Sequence, residues 1–124
     1  MHMDRPVFVF GSNLAGHHGK GAALEALHRR GAILGRSAGL QGNSYAIPTK
    51  DEIRHRLPLD KIAEGIDGFL DYTRTHPWLL FDVTPIGCGP AGYKPDDIAP
   101  MFQNAPHNVT LPDAFEDVLR TPSA

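Results

Sequence analysis

The chain opens on a continuous apolar run, Pro6-Val7-Phe8-Val9-Phe10, that stops at Gly11, the pattern of a strand buried on both faces. Residues 11–21 then form a glycine-dense loop, followed by the helix-forming stretch Ala22-Ala23-Leu24-Glu25-Ala26-Leu27. His28, Arg29 and Arg30 suit the negative C-terminal end of that helix, and Gly31 suits the position just beyond it. Gly31, Gly35, Gly39 and Gly42 interrupt the next segment without periodicity, which predicts an irregular connection. Ser44-Tyr45-Ala46-Ile47 reads as a second strand, stopped by Pro48.

From Leu59 to Thr73 the apolar positions Leu59, Ile62, Ile66, Phe69 and Leu70 fall on one face of a helix, with Asp60 as its expected cap and His76-Pro77 closing it. Leu79 to Thr84 predicts a third strand that delivers the segment Pro85–Tyr93 at its end. Pro95, Asp96 and Asp97 open a short helix that Pro100 is expected to bend or end. Val109-Thr110-Leu111 reads as a small final strand, and Asp113 with Glu116 as a capping box for a terminal helix through Leu119. Strand and helix in alternation predict an α/β fold, a mostly parallel central sheet flanked by helices and joined by right-handed crossovers.

Composition narrows this without changing it. With 13 Gly and 11 Pro in 124 residues, the chain is rich in loops yet short of the composition of a low-complexity segment. A 41% hydrophobic content supports one core, and the expectation is a single domain over residues 1–124, the first five flexible and Met1-His2-Met3 without functional weight. No stretch is long and apolar enough for a membrane span or a signal-peptide core, so a cytoplasmic location is expected. Cys88 is the one cysteine, and the seven histidines lack metal-ligand spacing, so neither an internal disulfide nor a metal is expected. A formal charge of −2 argues against a broad basic surface for nucleic acid.

The chemistry concentrates at strand ends, where open α/β sheets place their ligands. There the loop 11–21 runs into a helix N-terminus, and the segment from Gly87 to Tyr93 repeats the arrangement. Two such loops suggest a diphosphate held by backbone amides, with tight turns as the plain alternative. The first loop is not a P-loop, because Gly19-Lys20 is followed by Gly21 instead of Ser or Thr, and it is not G-x-G-x-x-G either. Between the loops stands Pro48-Thr49-Lys50-Asp51-Glu52. Lys50 is a candidate phosphate contact or amine nucleophile, against the ordinary solvated lysine. Cys88 lacks an assignable histidine partner and reads as a small side chain in a tight loop. His17 and His18 are either substrate contacts or exposed loop residues, and Tyr93 and Phe102 either stack on a base or ribose or pack internally.

The segments Phe10-Gly11-Ser12-Asn13-Leu14-Ala15-Gly16, Gly19-Lys20-Gly21-Ala22-Ala23, Tyr45-Ala46-Ile47-Pro48-Thr49-Lys50 and Ile86-Gly87-Cys88-Gly89 with Ile98-Ala99-Pro100 together resemble the macrodomain family. The nearest likeness is to the subgroup of the terminal ADP-ribose protein glycohydrolase and to compact macrodomain-like proteins of phage and bacteria. The resemblance implies a cleft for ADP-ribose or an ADP-ribosylated substrate, with nucleic acid entering only as a modified substrate and with no cofactor. It implies Asn13 near the distal ribose and Gly16, Gly19, Lys20 and Gly21 around the diphosphate and that ribose. Gly87, Cys88, Gly89, Ala91, Gly92 and Tyr93 would form the second phosphate loop. In the subgroup a Thr-Lys lysine attacks the anomeric carbon, which implies Thr49-Lys50 here. The subgroup's assisting aspartate is replaced by Ala91, leaving Asp51 or Glu52 to move the proton, or a site that binds without hydrolysis. Three readings follow: an ADP-ribosyl glycohydrolase acting through Lys50 with Asp51, a module that binds or sequesters a nucleotide signal, and a phosphatase of ADP-ribose 1″-phosphate. A structural or protein-interaction role is the alternative outside nucleotide chemistry.

Overall fold

A computed structural model describes residues 5–120. In chain order the elements are β1 (Val7–Asn13), α1 (Gly21–Arg29), β2 (Gly39–Gln41), β3 (Ser44–Lys50), α2 (Leu59–Thr75), β4 (Phe81–Val83), α3 (Pro95–Ile98), a 3-10 turn (Ala99–Phe102), β5 (Val109–Thr110) and α4 (Asp113–Arg120). The strands form one five-stranded sheet in the order β2-β3-β1-β4-β5. All pairings are parallel except that of β2 with β3. This is the expected α/β fold, with the apolar first strand at its centre.

Alternation along β1 explains why the sheet is covered on both faces. Val7 and Val9 point into the larger core with Ile47, Phe81 and Val83, under α2, α3, the 3-10 turn and α4. Phe8 and Phe10 face the other way, toward Ala26 and Ala32 and the small side chains of α1. The larger core turns on Phe69, fully buried, whose ring meets Tyr45 at 5.0 Å and Phe81 at 5.5 Å edge-on, with Phe102 at 6.4 Å. Phe102 is packed inside, stacked at 5.7 Å on Phe115.

Five local expectations are corrected. The connection 31–42 is not wholly irregular: it contains β2, joined to β3 by a two-residue loop in which Gly42, at φ 60°, stands first, as II′ hairpin turns require. Gly31 and Gly42 also touch backbone to backbone, since a Cβ on Gly42 would lie 2.6 Å from the Gly31 Cα. Pro48 does not end β3, which continues to Lys50. β2 pairs only with Ser44, Tyr45 and Ala46, so beyond them that flank of β3 has no strand to receive the N–H that proline lacks. Asp60 and Asp113 lie inside their helices, whose first turns close on the carbonyls of Pro58 and Pro112. β4 is shorter than expected because the chain turns at Leu79 and leaves the ladder at Thr84. Of the five residues expected to be flexible, the first four lie outside the described ones, and no described helix is long and apolar enough to cross a membrane.

Phe69→Ala removes a ring that joins three elements and is expected to cost about 3–5 kcal/mol in urea unfolding, whereas Leu34→Ala, at an exposed loop position, is expected to stay within about 0.5 kcal/mol. Equal midpoints for the two variants would show that Phe69 does not anchor the core.

Candidate functional site

The cleft lies where the C-terminal ends of β1, β3 and β4 leave the sheet, and it encloses about 760 Å³. β1 and β3 bring it into being by running on past Gly11 and Ile47. Their register shifts between Ser12 and Asn13, so that Ser12 pairs with Pro48 but Asn13 with Lys50. Thr49, buried, donates from Oγ1 to the Ser12 carbonyl at 3.3 Å and forms the floor with Gly11, where a Cβ would press on the threonine at 3.3 Å.

One wall is the loop from Asn13 into α1. Asn13 fixes its start: Nδ2 donates to the His17 carbonyl and Oδ1 accepts from the His17 N–H, both at 3.0 Å. Lys20 is the N-cap residue of α1 and gives no side-chain hydrogen bond to the helix. The N–H groups of Ala22 and Ala23, which line the cleft, therefore have neither an intrahelical acceptor nor a cap. The helix dipole adds partial positive charge at the same place.

The opposite wall, Thr84 to Ala91, is tied to the central strand by Thr84 Oγ1, which donates to Val9 O at 2.8 Å, and within itself by local bonds, Cys88 N to Pro85 O at 3.1 Å and Tyr93 N to Gly87 O at 2.8 Å. Gly87, at φ 77°, sits directly on the core, where a Cβ would meet Ile98 at 3.1 Å. Half-buried Cys88 has its thiol pushed up from the ordinary range, first by burial and then by the charge of Asp97, which opposes a thiolate nucleophile at neutral pH.

Of the residues singled out from sequence, Asn13, Gly19, Lys20, Gly21, Thr49, Lys50, Gly87, Cys88, Gly89 and Ala91 line this one cleft. Gly16, Asp51, Gly92 and Tyr93 stand outside its lining. Gly16 packs against the 31–42 connection, where a Cβ at φ 68° would come within 2.4 Å of the Gly35 carbonyl carbon. The Asp51 carboxylate accepts the N–H groups of Ile53 at 3.0 Å and His55 at 2.9 Å. Tyr93 donates its hydroxyl to Leu57 O at 2.6 Å and carries the Arg56 guanidinium 4.3 Å over its ring. His17 is exposed and lines the cleft, but His18 is buried edge-on against Phe10 with Nε2 3.1 Å from Ile33 O.

Arg54 also lines the cleft, and no motif in the sequence marks it. Lys20, Lys50 and Arg54 thus meet in a cleft to which no aspartate or glutamate contributes, and none of the three forms an ion pair among the described residues. No group of His, Cys, Asp and Glu among the described residues is arranged to hold a metal ion. Ala22, Ala23, Pro85, Ile86 and Pro90 add apolar surface to the lining, and Ser12, Asn13, His17, Thr49 and Thr84 add uncharged polar groups. The cleft thus sets cationic side chains and free helix N–H groups beside apolar surface. Comparison with protein-family models, with curated proteins and with solved structures finds no match to this chain.

Since the fold raises the Cys88 pKa, the unfolded chain ionises first; the thiol's contribution is complete below the unfolded pKa and is lost as pH rises through the folded value. Iodoacetamide labelling of the folded protein, unambiguous with one cysteine, is expected to show a midpoint above that of a free thiol, about 8.5. It should return to that value in denaturant. A folded midpoint below the free-thiol value would make Cys88 an activated nucleophile after all.

Proposed function

We propose that the cleft binds ADP-ribose or a closely related NAD-derived nucleotide, in the manner of the macrodomain family that the sequence resembles. The observation that carries this reading is the convergence of uncapped helix N–H groups, a facing glycine loop and three cationic side chains that have no ion-pair partner among the described residues, in a cleft to which no described carboxylate contributes. A diphosphate satisfies that combination: its oxygens accept from the N–H groups of Ala22 and Ala23, and its charge offsets Lys20 and Lys50. The chain as a whole carries −2, so the positive field is local to the cleft and selects for an anion that fits inside it. The apolar patches beside the cationic groups suit the faces of a ribose and a base.

The lysine that would attack an anomeric carbon, Lys50, belongs to the lining, and attack there requires a group that takes a proton from the attacking amine and gives one to the departing partner. Asp51, the nearest acid in sequence, already accepts two backbone N–H groups, and Ala91 stands where the subgroup has its aspartate. This favours recognition without turnover as the second reading: Lys50 then serves as a cation for the ligand rather than as a nucleophile.

Isothermal titration with ADP-ribose is expected to give saturable binding that weakens as salt is raised, and Lys50→Ala is expected to lower the affinity about tenfold, the loss of one charge-assisted contact. The absence of heat at millimolar ADP-ribose overturns the reading. Mass spectrometry of an ADP-ribosylated protein after incubation separates the two versions: an unchanged adduct supports recognition alone, and release that disappears in Lys50→Ala establishes hydrolysis.

A further inference from the structure

We infer that Arg54 is a ligand-binding residue of this cleft, held over it as an anion clamp, and that Asp51 and Tyr93 are the positioning residues that hold it there. The inference rests on the reading of the cleft as a diphosphate site and goes beyond it by assigning Arg54, from a turn separate from both glycine loops, a direct contact with the anion and naming the residues that hold it.

Arg54 is the one non-glycine residue at positive φ among the described residues, at 69°. Arginine has no intrinsic preference for that conformation, so the surrounding turn must impose it. The turn does so from inside. Arg54 N donates to Asp51 O at 3.1 Å, Asp51 N to His55 O at 2.7 Å, and the Asp51 carboxylate gathers Ile53 N and His55 N. It is also fastened from outside: Arg56 lies 4.3 Å over the Tyr93 ring while the Tyr93 hydroxyl bonds the next carbonyl, Leu57 O, at 2.6 Å. Tyr93 belongs to the segment that follows the far wall, so the two sides of the cleft are joined through it. Arg54 lines the cleft from this turn, and its guanidinium has no carboxylate partner among the described residues. A planar fork of donors there matches a phosphate bidentately, which an ammonium group cannot do.

The test uses the full chain and two probes, ADP-ribose and inorganic pyrophosphate, each titrated against wild type and variants with thermal unfolding measured in parallel. Arg54→Ala is expected to weaken both probes ten- to a hundredfold, by about the worth of one charge-assisted contact, and to flatten the salt dependence. Arg54→Lys is expected to recover only part of the loss. Arg54→Gly relieves the backbone, so it is expected to keep or raise the unfolding temperature while binding as weakly as Arg54→Ala. Asp51→Ala is expected to weaken binding in wild type but to add nothing in an Arg54→Ala background, a coupling that a merely structural role for Asp51 would not produce.

If Arg54→Ala and Arg54→Gly bind both probes as wild type does, the clamp is overturned while the diphosphate reading stands. Should wild type bind pyrophosphate but not ADP-ribose, and Arg54→Ala lose it, the clamp stands and the nucleotide reading falls. Wild type that binds neither probe at millimolar concentration overturns both.

Discussion

The parallel pairing of β1 with β3, and the one-residue shift near its end, is the constraint on which the rest of this molecule depends. Up to Ser12 the two strands run in plain register; at Asn13 the partner becomes Lys50 in place of Thr49. Such a shift bends and re-aims the strand ends. Both chains then leave the sheet at the same level, Leu14 N still bonded to Lys50 O at 2.9 Å, one toward α1 and the other into the Asp51 turn. Without the shift, Lys50 and Asn13 would not stand side by side at the rim.

The core explains why the rim keeps its shape. Ile86 and Ile98, both buried, lie beneath the Gly87 loop, and the same cluster reaches through Phe69 and Phe102 to the far helices. On the opposite face α1 approaches the sheet through alanines, small enough to lay its N-terminal turn close to the ends of the strands. The connection 31–42 buttresses the first loop from outside: Ser12 Oγ bonds the Ser37 carbonyl, Gly35 N donates to Gly16 O at 2.9 Å, and buried Gln41 accepts Ile33 N at 2.7 Å while donating to Arg36 O at 3.0 Å. Backbone amides recognise a ligand only when they are already aimed, and both walls here are braced from behind before any ligand arrives.

Periodicity made the framework legible. The run at Val7–Phe10 and the face through Ile62, Ile66 and Phe69 carry enough apolar contrast to announce a central strand and a packed helix. β2 was hidden because three residues, one of them glycine, have no period, and its existence depends on the hairpin turn at Gly42 rather than on its own composition. Pro48 misleads for a related reason: whether a proline ends a strand depends on whether a neighbour needs its N–H, which only the sheet order decides. In the site, glycines are legible as places of close approach but not as what they approach. Gly87 meets Ile98, whereas Gly16, expected at the ligand, meets Gly35. Arg54 and the burial of His18 are products of tertiary placement and leave no trace in local pattern.

The strand order also fixes when in the life of the chain a cleft can exist. β1 is synthesised first, yet its two neighbours come from residues 44–50 and 81–83, and β4 is in turn flanked by β5 at residues 109–110. The Thr84 hydroxyl closes onto Val9 across 75 positions of sequence. Contacts of that span form only after the intervening chain has been collapsed, which makes such sheets slow and cooperative to assemble. A nascent chain that has emerged as far as Thr75 owns the first loop and the Asp51 turn but has nothing to set against them. The cleft is therefore a late event of folding, acquired only once the third parallel strand has docked beside the first.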